Sequence, residues 1–341
     1  MEQNSMNSAS SIEEGIPADP ELMSLDDDMD SAFDNQSSFR STASLTASIL
    51  DYRYLHGRTY QRSPSTTYWG PNDRQQMDGL DLTHHWMTLL LDDKLYEAPI
   101  GSNPQRILDV GTGTGIWAID VADALPSAEV IGTDISPIQP TWVPPNCRFL
   151  IEDAQLNWNW PSNHFDYIHV RHLTGCIDNW RRLYGQAFDR LRPGGYFEHC
   201  DYDIETRSDT GLIGPDHVYT RWREVLTKAS VENGRSFECP AREGNMTELM
   251  EEAGFVDVVH KVWKVPIGAW PQEKKMKQLG LFTYEFLDHS LEGFALYLLR
   301  EVMGWEYEEV QELVDAMRKA LRRSRLMPYF LLHIAYGRKP G

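Results

Sequence analysis

The chain has 341 residues, is 41% hydrophobic and 24% charged, and carries a formal net charge of −19. Those proportions suit a globular protein with a core of useful size, while such acidity with no basic stripe disfavours a nucleic-acid partner, whose phosphates are held by clustered Lys and Arg. Cys147, Cys176, Cys200 and Cys239 show no C-x-x-C spacing, which argues against a zinc module or a disulfide framework and fits a reducing, intracellular setting, cytoplasm or nucleus.

The first residues contain no apolar stretch of the secretory kind, and no apolar run approaches the roughly 18–20 residues that a membrane span needs. Residues 1–45 are rich in Ser, Asn, Asp and Met. Through Asp51 there are eleven acidic residues and one basic one, so ten of the nineteen net negative charges lie there. A segment of this composition cannot bury enough apolar surface to offset chain entropy, and is expected to be a disordered tail. It reads either as a docking arm or as an inert solvated segment.

From Thr46 the pattern becomes structured. The spacing predicts a helix over 81–95, with Leu82, Trp86, Leu89, Leu90 and Leu91 largely on one face. Strands and helices then alternate. Strands are predicted over 106–110, 129–134, 148–152, 165–170 and 196–201, with a helix over 116–124. This rhythm indicates a parallel sheet with helices on both faces. In the last third, helices are predicted over 244–253, 274–287, 291–302 and 307–322, and strands over 256–265 and 328–336. The three helices between those last strands form an insertion able to pack over the mouth of the sheet. The expected division is a tail over 1–45, a helical cap over 46–104, and a main α/β domain over 105–341 with the insertion at about 272–323.

The chemistry concentrates at Ile107–Asp120, ILDVGTGTGIWAID. A buried strand runs into Asp109, then Gly111, Thr112, Gly113 and Gly115, then a helix. Glycines let the chain turn tightly and let a ligand lie against bare backbone, at the positive end of the following helix. The spacing is G-x-G-x-G, with Ile116 where a dinucleotide fingerprint wants Gly or Ala, and no Gly-Lys-Ser/Thr follows. Nicotinamide, flavin and Walker-type phosphate sites are therefore disfavoured. Asp134 ends the second strand of the series, nineteen residues after Gly115. Alone it reads equally as a ribose-diol acceptor or a turn cap; beside the glycine loop the ribose reading is preferred. Asp153 ends the third strand, where it could accept from an adenine amino group. Pro193, Gly194 and Gly195 turn the chain into the fifth strand.

The order ILDVGTGTG, IGTDIS, EDA, FDYIHVR and LRPGGYFEH resembles the motif series of class I S-adenosylmethionine-dependent methyltransferases. HGRTY (56–60), YWGPNDRQQMDGLDLTHH (68–85), GTDISPIQPTWVPPNCRF (132–149) and HIAYGRKP (333–340) narrow the resemblance to the fungal LaeA-like methyltransferases, regulators of secondary metabolism. It covers roughly residues 50–341.

The resemblance implies a Rossmann-like fold: a mostly parallel seven-stranded sheet with an antiparallel last strand, helices on both faces, an N-terminal helical lid and the C-terminal helical insertion. It implies S-adenosylmethionine as cofactor, S-adenosylhomocysteine as product, and no metal. Asp109, Gly111, Thr112, Gly113 and Gly115 would line the methionine part. Asp134 would hold the ribose, Ile135 the adenine, and Asp153 with Ala154 the adenine edge. Arg171 would lie beside the sulfonium, with Tyr60, Tyr68 and Asn72 closing over the cofactor.

Methyl transfer is an in-line displacement at a cationic sulfur, so the protein supplies mainly proximity and alignment. A base is needed only if the acceptor must lose a proton. His172, His199 and Asp201 are the candidates near the ends of strands four and five, with His84 and His85 on the N-terminal helix; each His has a structural reading as well. Trp69, Trp86, Trp158, Trp160, Trp180 and Trp222 read either as an aromatic acceptor pocket or as packing, with Trp158 and Trp160 as a surface-loop anchor. The expected acceptor is a small molecule or a protein. The alternative is a cofactor-binding regulatory subunit that works by contact with velvet-type partners. A nicotinamide dehydrogenase ranks third because of the loop spacing.

Overall fold

The computed structural model describes residues 15–19, 51–63, 65, 68–238 and 245–341. Most of the expected tail lies outside them, as does Cys239. Residues 17–19, within the expected tail, lie along the main body: Asp19 N donates to Trp270 O, Gln272 N donates to Pro17 O, and Asp19 pairs with Lys277.

The chain opens with a hairpin, β1 (Arg53–Leu55) and β2 (Arg58–Tyr60), then α1 (Arg74–Leu90). The helix starts earlier than its apolar stripe suggests, because Asp73 caps it by accepting from Gln76 N at 3.1 Å. It stops at Leu91 because Asp92 and Asp93 both take left-handed backbone. Then follow β3 (Arg106–Val110), α2 (Ile116–Ala124), β4 (Glu129–Asp134), β5 (Cys147–Ile151), β6 (Phe165–Arg171), α3 (Trp180–Arg190) and β7 (Leu191–Tyr202). The last part comprises α4 (Val218–Glu232), α5 (Asn245–Ala253), β8 (Val256–Pro266), α6 (Lys274–Tyr297), α7 (Tyr307–Leu321) and β9 (Tyr329–Arg338). α3, α4 and the hairpin go beyond the sequence reading.

The insertion differs from expectation in one respect. The helices predicted over 274–287 and 291–302 are a single helix, α6, ending in a π-helical turn at Leu298–Val302. Asp288–Ser290 contains no Pro or Gly to break it, and Ser290 and Gly293 press against α1 residues Gly79 and Gln76.

The main sheet has the order β5-β4-β3-β6-β7-β9-β8, with β3 to β7 parallel and β9 antiparallel to both its neighbours. Side chains alternate across it. Ile107, Val130 and Tyr167 pack with Trp117 and Val121 of α2 on one face, while Leu108, Ile131 and Ile168 pack with Leu183 of α3 and Met250 of α5 on the other. A third apolar cluster joins α1, α4, α6 and α7 to Cys200 of β7 and Phe330 and Leu332 of β9. Cap and insertion thus share one core, set against the carboxyl ends of the central strands. Strand order reverses between β3 and β6, the place where open α/β sheets bind ligands. Among the described residues no helix is long and apolar enough to cross a membrane.

Candidate functional site

The glycine loop after β3 is held by its own backbone: Gly111 N and Thr112 N both donate to Thr133 O, at 2.8 and 2.9 Å. Gly113 and Gly115 have left-handed φ of 59° and 81°, which a side chain would strain. They differ in surroundings. A Cβ on Gly115 would come within 2.3 Å of the Phe149 ring, whereas one on Gly113 would meet only Leu80 Cδ1 at 3.3 Å, on the cavity wall. Gly115 is a packing requirement, and Gly113 keeps a cradle open.

Asp109 is buried beneath the loop. Its oxygens accept from Thr112 Oγ1 at 2.6 Å and His169 Nδ1 at 2.8 Å. Burial holds His169 below its ordinary value, so the ring is neutral and Nδ1 carries the donated proton. Asp109 therefore fixes the loop from within while lining the cavity floor.

Asp134 is half-buried at the end of β4. It accepts Gly113 N at 2.8 Å on one oxygen and Ser136 N at 2.9 Å on the other. Each carboxylate oxygen keeps a second lone pair, the requirement for holding a vicinal diol. Burial raises this carboxyl to about 6, against the opposing pull of the backbone N–H donors. Ile135, Asp153 and Ala154 continue the wall. Asp153 accepts Gln155 N at 3.0 Å and Ser65 Oγ at 2.6 Å.

Arg171, at the end of β6, enters the cavity from the opposite side. Its Nη1 lies 3.1 Å from His84 Nδ1, and His84 Nε2 lies 2.9 Å from Asp120 Oδ2. Arginine only donates, so His84 Nδ1 is the acceptor and its Nε2–H donates to Asp120. Burial lowers His84, consistent with this neutral tautomer. His84 is thereby a positioning residue for Arg171.

A second cavity adjoins the first. Tyr68, Gln76, Leu80 and His172 line both. The remainder of its wall is largely aromatic and aliphatic, drawn from α1, β7, α4, α6, α7 and β9. His172 has left-handed backbone, φ 56°, a strain tolerated mostly at functional sites. Its Nε2 lies 3.1 Å from Met87 Sδ, and Nδ1 is buried with no protein partner. Burial and Arg171 push the imidazole down to about 3, so it is neutral. Asp201 also lines this chamber. It accepts Thr174 N at 2.9 Å and is held below the usual carboxylate range by His199 and by hydrogen bonds that outweigh its burial.

Other expected site residues lie elsewhere. His199 is fully buried behind β7, bonded to Tyr184 Oη at 2.8 Å and stacked on Trp180, and borders neither cavity. Tyr60 packs inside the cap against Tyr297. Asn72 sits one layer back: its Nδ2 and the Ser136 hydroxyl both reach Gln61 Oε1, at 3.5 and 3.2 Å. Among the tryptophans, Trp69 and Trp222 line the chamber and Trp86 backs it against Phe286 and Phe330. Trp158 is buried, with its Nε1 anchored to Ala154 O at 3.0 Å. Sequence reasoning missed Gln76 and Leu80, because it placed their turn of α1 outside the helix. It also missed Leu173 and Cys176, which follow β6 with no distinguishing pattern.

A sheet of this order, with a glycine loop after β3 and a carboxylate at the end of β4 that accepts from that loop, has the class I methyltransferase architecture. Residues 83–261 match the methyltransferase-domain family. The methyltransferase pytC of Aspergillus terreus is 37% identical over 88% of this chain and 92% of its own. The secondary metabolism regulator LAE1 of Cochliobolus heterostrophus is 34% identical over 84% and 94%. The protein-methionine methyltransferase laeA of Emericella nidulans is 32% identical over 84% and 76%. The chain belongs to this LaeA-like methyltransferase family and is an S-adenosylmethionine-dependent methyltransferase.

Proposed function

We propose that the protein methylates an acceptor seated in the aromatic chamber, and that the reaction serves secondary metabolism, the process named for several of its relatives. The observation that supports this reading is the meeting of the two cavities at His172, Tyr68, Gln76 and Leu80. A donor in the first can face an acceptor in the second with bulk water excluded. The glycine cradle and the spare lone pairs of Asp134 fit S-adenosylmethionine, which when bound supplies a methyl group on a cationic sulfur. Asp134 would take the ribose, Ile135, Asp153 and Ala154 the adenine, and the 111–115 loop with Arg171 the methionine end. Tyr68 would close the junction. His172 and Asp201 face the acceptor, whereas His199 acts through Asp201 as a positioning residue.

The acceptor is a small molecule or a protein side chain, and the protein works in the cytoplasm or nucleus. Calorimetric titration with S-adenosylmethionine, S-adenosylhomocysteine and NAD tests the cofactor. One-site binding of the first two and none of NAD is expected; absence of binding by both sulfur ligands would overturn the reading. Release of S-adenosylhomocysteine with fungal metabolite fractions or a methionine-bearing peptide tests the acceptor. No release with any of them would favour a regulatory subunit acting through partner contacts, a role consistent with the regulator names of its relatives.

A further inference from the structure

Residues 17–19 belong to none of the named helices and strands, yet they are docked on the main body. Ala18 faces Pro271 in an antiparallel bridge. Asp19 N donates to Trp270 O and Gln272 N donates to Pro17 O, both at 2.8 Å. These bonds flank the Ala18–Pro271 pair, so neither Pro17 nor Pro271 is asked for an N–H it lacks. The Asp19 carboxylate pairs with Lys277 of α6, and both side chains are partly buried. A short acidic segment gives up chain entropy only where specific bonds offset it. Here two backbone bonds and an ion pair converge on three residues.

The receiving strip, 266–272, bears directly on α6. Ile267 N and Trp270 Nε1 both donate to Pro328 O, at 2.8 and 3.0 Å. Gly268 N donates to Gly280 O at 2.7 Å, Thr283 Oγ1 donates to Pro266 O, and Gly280 has no room for a Cβ. Further along the same helix, Phe286, Leu287, Leu291 and Phe294 form a wall of the aromatic chamber. The start of α6 carries Lys274, Lys275 and Lys277, with no acidic residue in its first turn. Cations there oppose the helix dipole. Asp92, just past α1, answers Lys275, and Asp19 answers Lys277. Two anions from distant segments thus hold one end of the helix.

We infer that the 270–272 strip and Lys277 form a docking groove for an extended acidic segment, filled in cis by residues 17–19, and that this strap pins the start of α6. The groove recognises strand backbone and one carboxylate. Through α6 the strap steadies the acceptor side of the molecule and leaves the glycine-loop cavity alone. The assignment of α6 to the acceptor side rests on the methyltransferase reading above; the docking itself does not.

Hydrogen exchange on the full chain, read by mass spectrometry, tests the strap. Asp19→Lys should speed exchange across 267–283 by roughly fivefold and leave 107–134 unchanged. Lys277→Asp should do the same, and Asp19→Lys combined with Lys277→Asp should restore most of the protection, because the pair is re-formed with its charges exchanged. Unchanged exchange over 267–283 in Asp19→Lys, or a double variant no better protected than the single ones, would overturn the inference. Fluorescence anisotropy tests the groove with a labelled peptide of residues 15–19. It should bind the Asp19→Lys chain several-fold tighter than the parent, whose groove is already filled, and a peptide carrying Lys in place of Asp should lose that binding. Equal binding of both peptides would remove the groove. S-adenosylhomocysteine affinity in Asp19→Lys should stay within about twofold of the parent, and a loss on the order of tenfold would overturn the assignment of the strap to the acceptor side. Failure of that ligand to bind the parent would remove the cofactor reading while the exchange result still stands.

Discussion

The cavity around the glycine loop draws its floor from one continuous run of chain, while the aromatic chamber beside it is assembled from both ends of the molecule. Asp109, Gly113, Asp134 and Asp153 sit on successive strand ends and are held by bonds within the same run, such as Gly113 N to Asp134 and Thr112 to Asp109. The chamber needs Trp69 from the cap, Tyr202 from β7, Trp222 from α4, Phe286 from α6 and Phe330 from β9. Its walls are largely apolar and hold each other mainly by packing. The first region is specified by hydrogen-bond geometry and tolerates little change; the second is specified by volume and can be altered wall by wall without disturbing its neighbour.

Substitutions can break that separation or sharpen it. The largest effect is expected from Gly113→Asp. Left-handed backbone costs an L-residue about 1–2 kcal/mol, and the new carboxylate would enter the cradle beside Asp134. Calorimetry should show S-adenosylhomocysteine affinity falling on the order of 100-fold, about 2.7 kcal/mol, while the melting temperature shifts little. Unchanged affinity in the folded variant would remove the loop from the site.

Asp134→Ala is expected to weaken the same ligand roughly 30-fold, about 2 kcal/mol, through loss of the diol acceptor and of the bonds to Gly113 N and Ser136 N. pH provides a finer version. The ionised carboxylate is the better acceptor, and its folded value is about 6. Affinity should therefore be full above that pH and decline as pH falls through it, and Asp134→Asn should flatten the profile measured between pH 5 and 8.

Gly280→Ala tests the other region. A Cβ there would lie 2.0 Å from Gly268 O, behind α6. Such overpacking should cost about 1–3 kcal/mol in denaturant unfolding, with S-adenosylhomocysteine affinity within about twofold of the parent. A large drop in affinity would show that the two regions are coupled more tightly than their construction suggests. The smallest effect is expected from His84→Ala, which removes the acceptor that orients Arg171. About a threefold loss of cofactor affinity, some 0.6 kcal/mol, should appear in titration, and Asp120→Asn should reproduce part of it.

The strands of the sheet and the glycine loop were legible because each is a local pattern: an apolar run, a turn residue, a carboxylate at a strand end. The misreadings share another cause. Asp73 as a helix cap and the unbroken run of α6 through Asp288–Ser290 depend on weak local signals, settled by packing of α6 against α1. Tyr60 and Asn72 lie near the site in sequence pattern but face the cap's own interior. His199 carried the same apparent promise as His172, one strand over. Alternation along β7 turned its ring toward Trp180 of α3, while the left-handed backbone of His172 set that residue at the junction of the cavities.

By itself, the order of residues determined the α/β class, the cradle and the carboxylates at the ends of β4 and β5, because those features are built from contacts between near neighbours and from backbone freedom that only glycine has. Tertiary structure alone decided which histidine meets the site, which aromatic rings become walls and which become core, and that Asp201 is buried beside His199. Those outcomes depend on how α1, α4, α6 and α7 share one apolar cluster over the strand ends, a balance of volumes and burial that no short stretch of sequence contains.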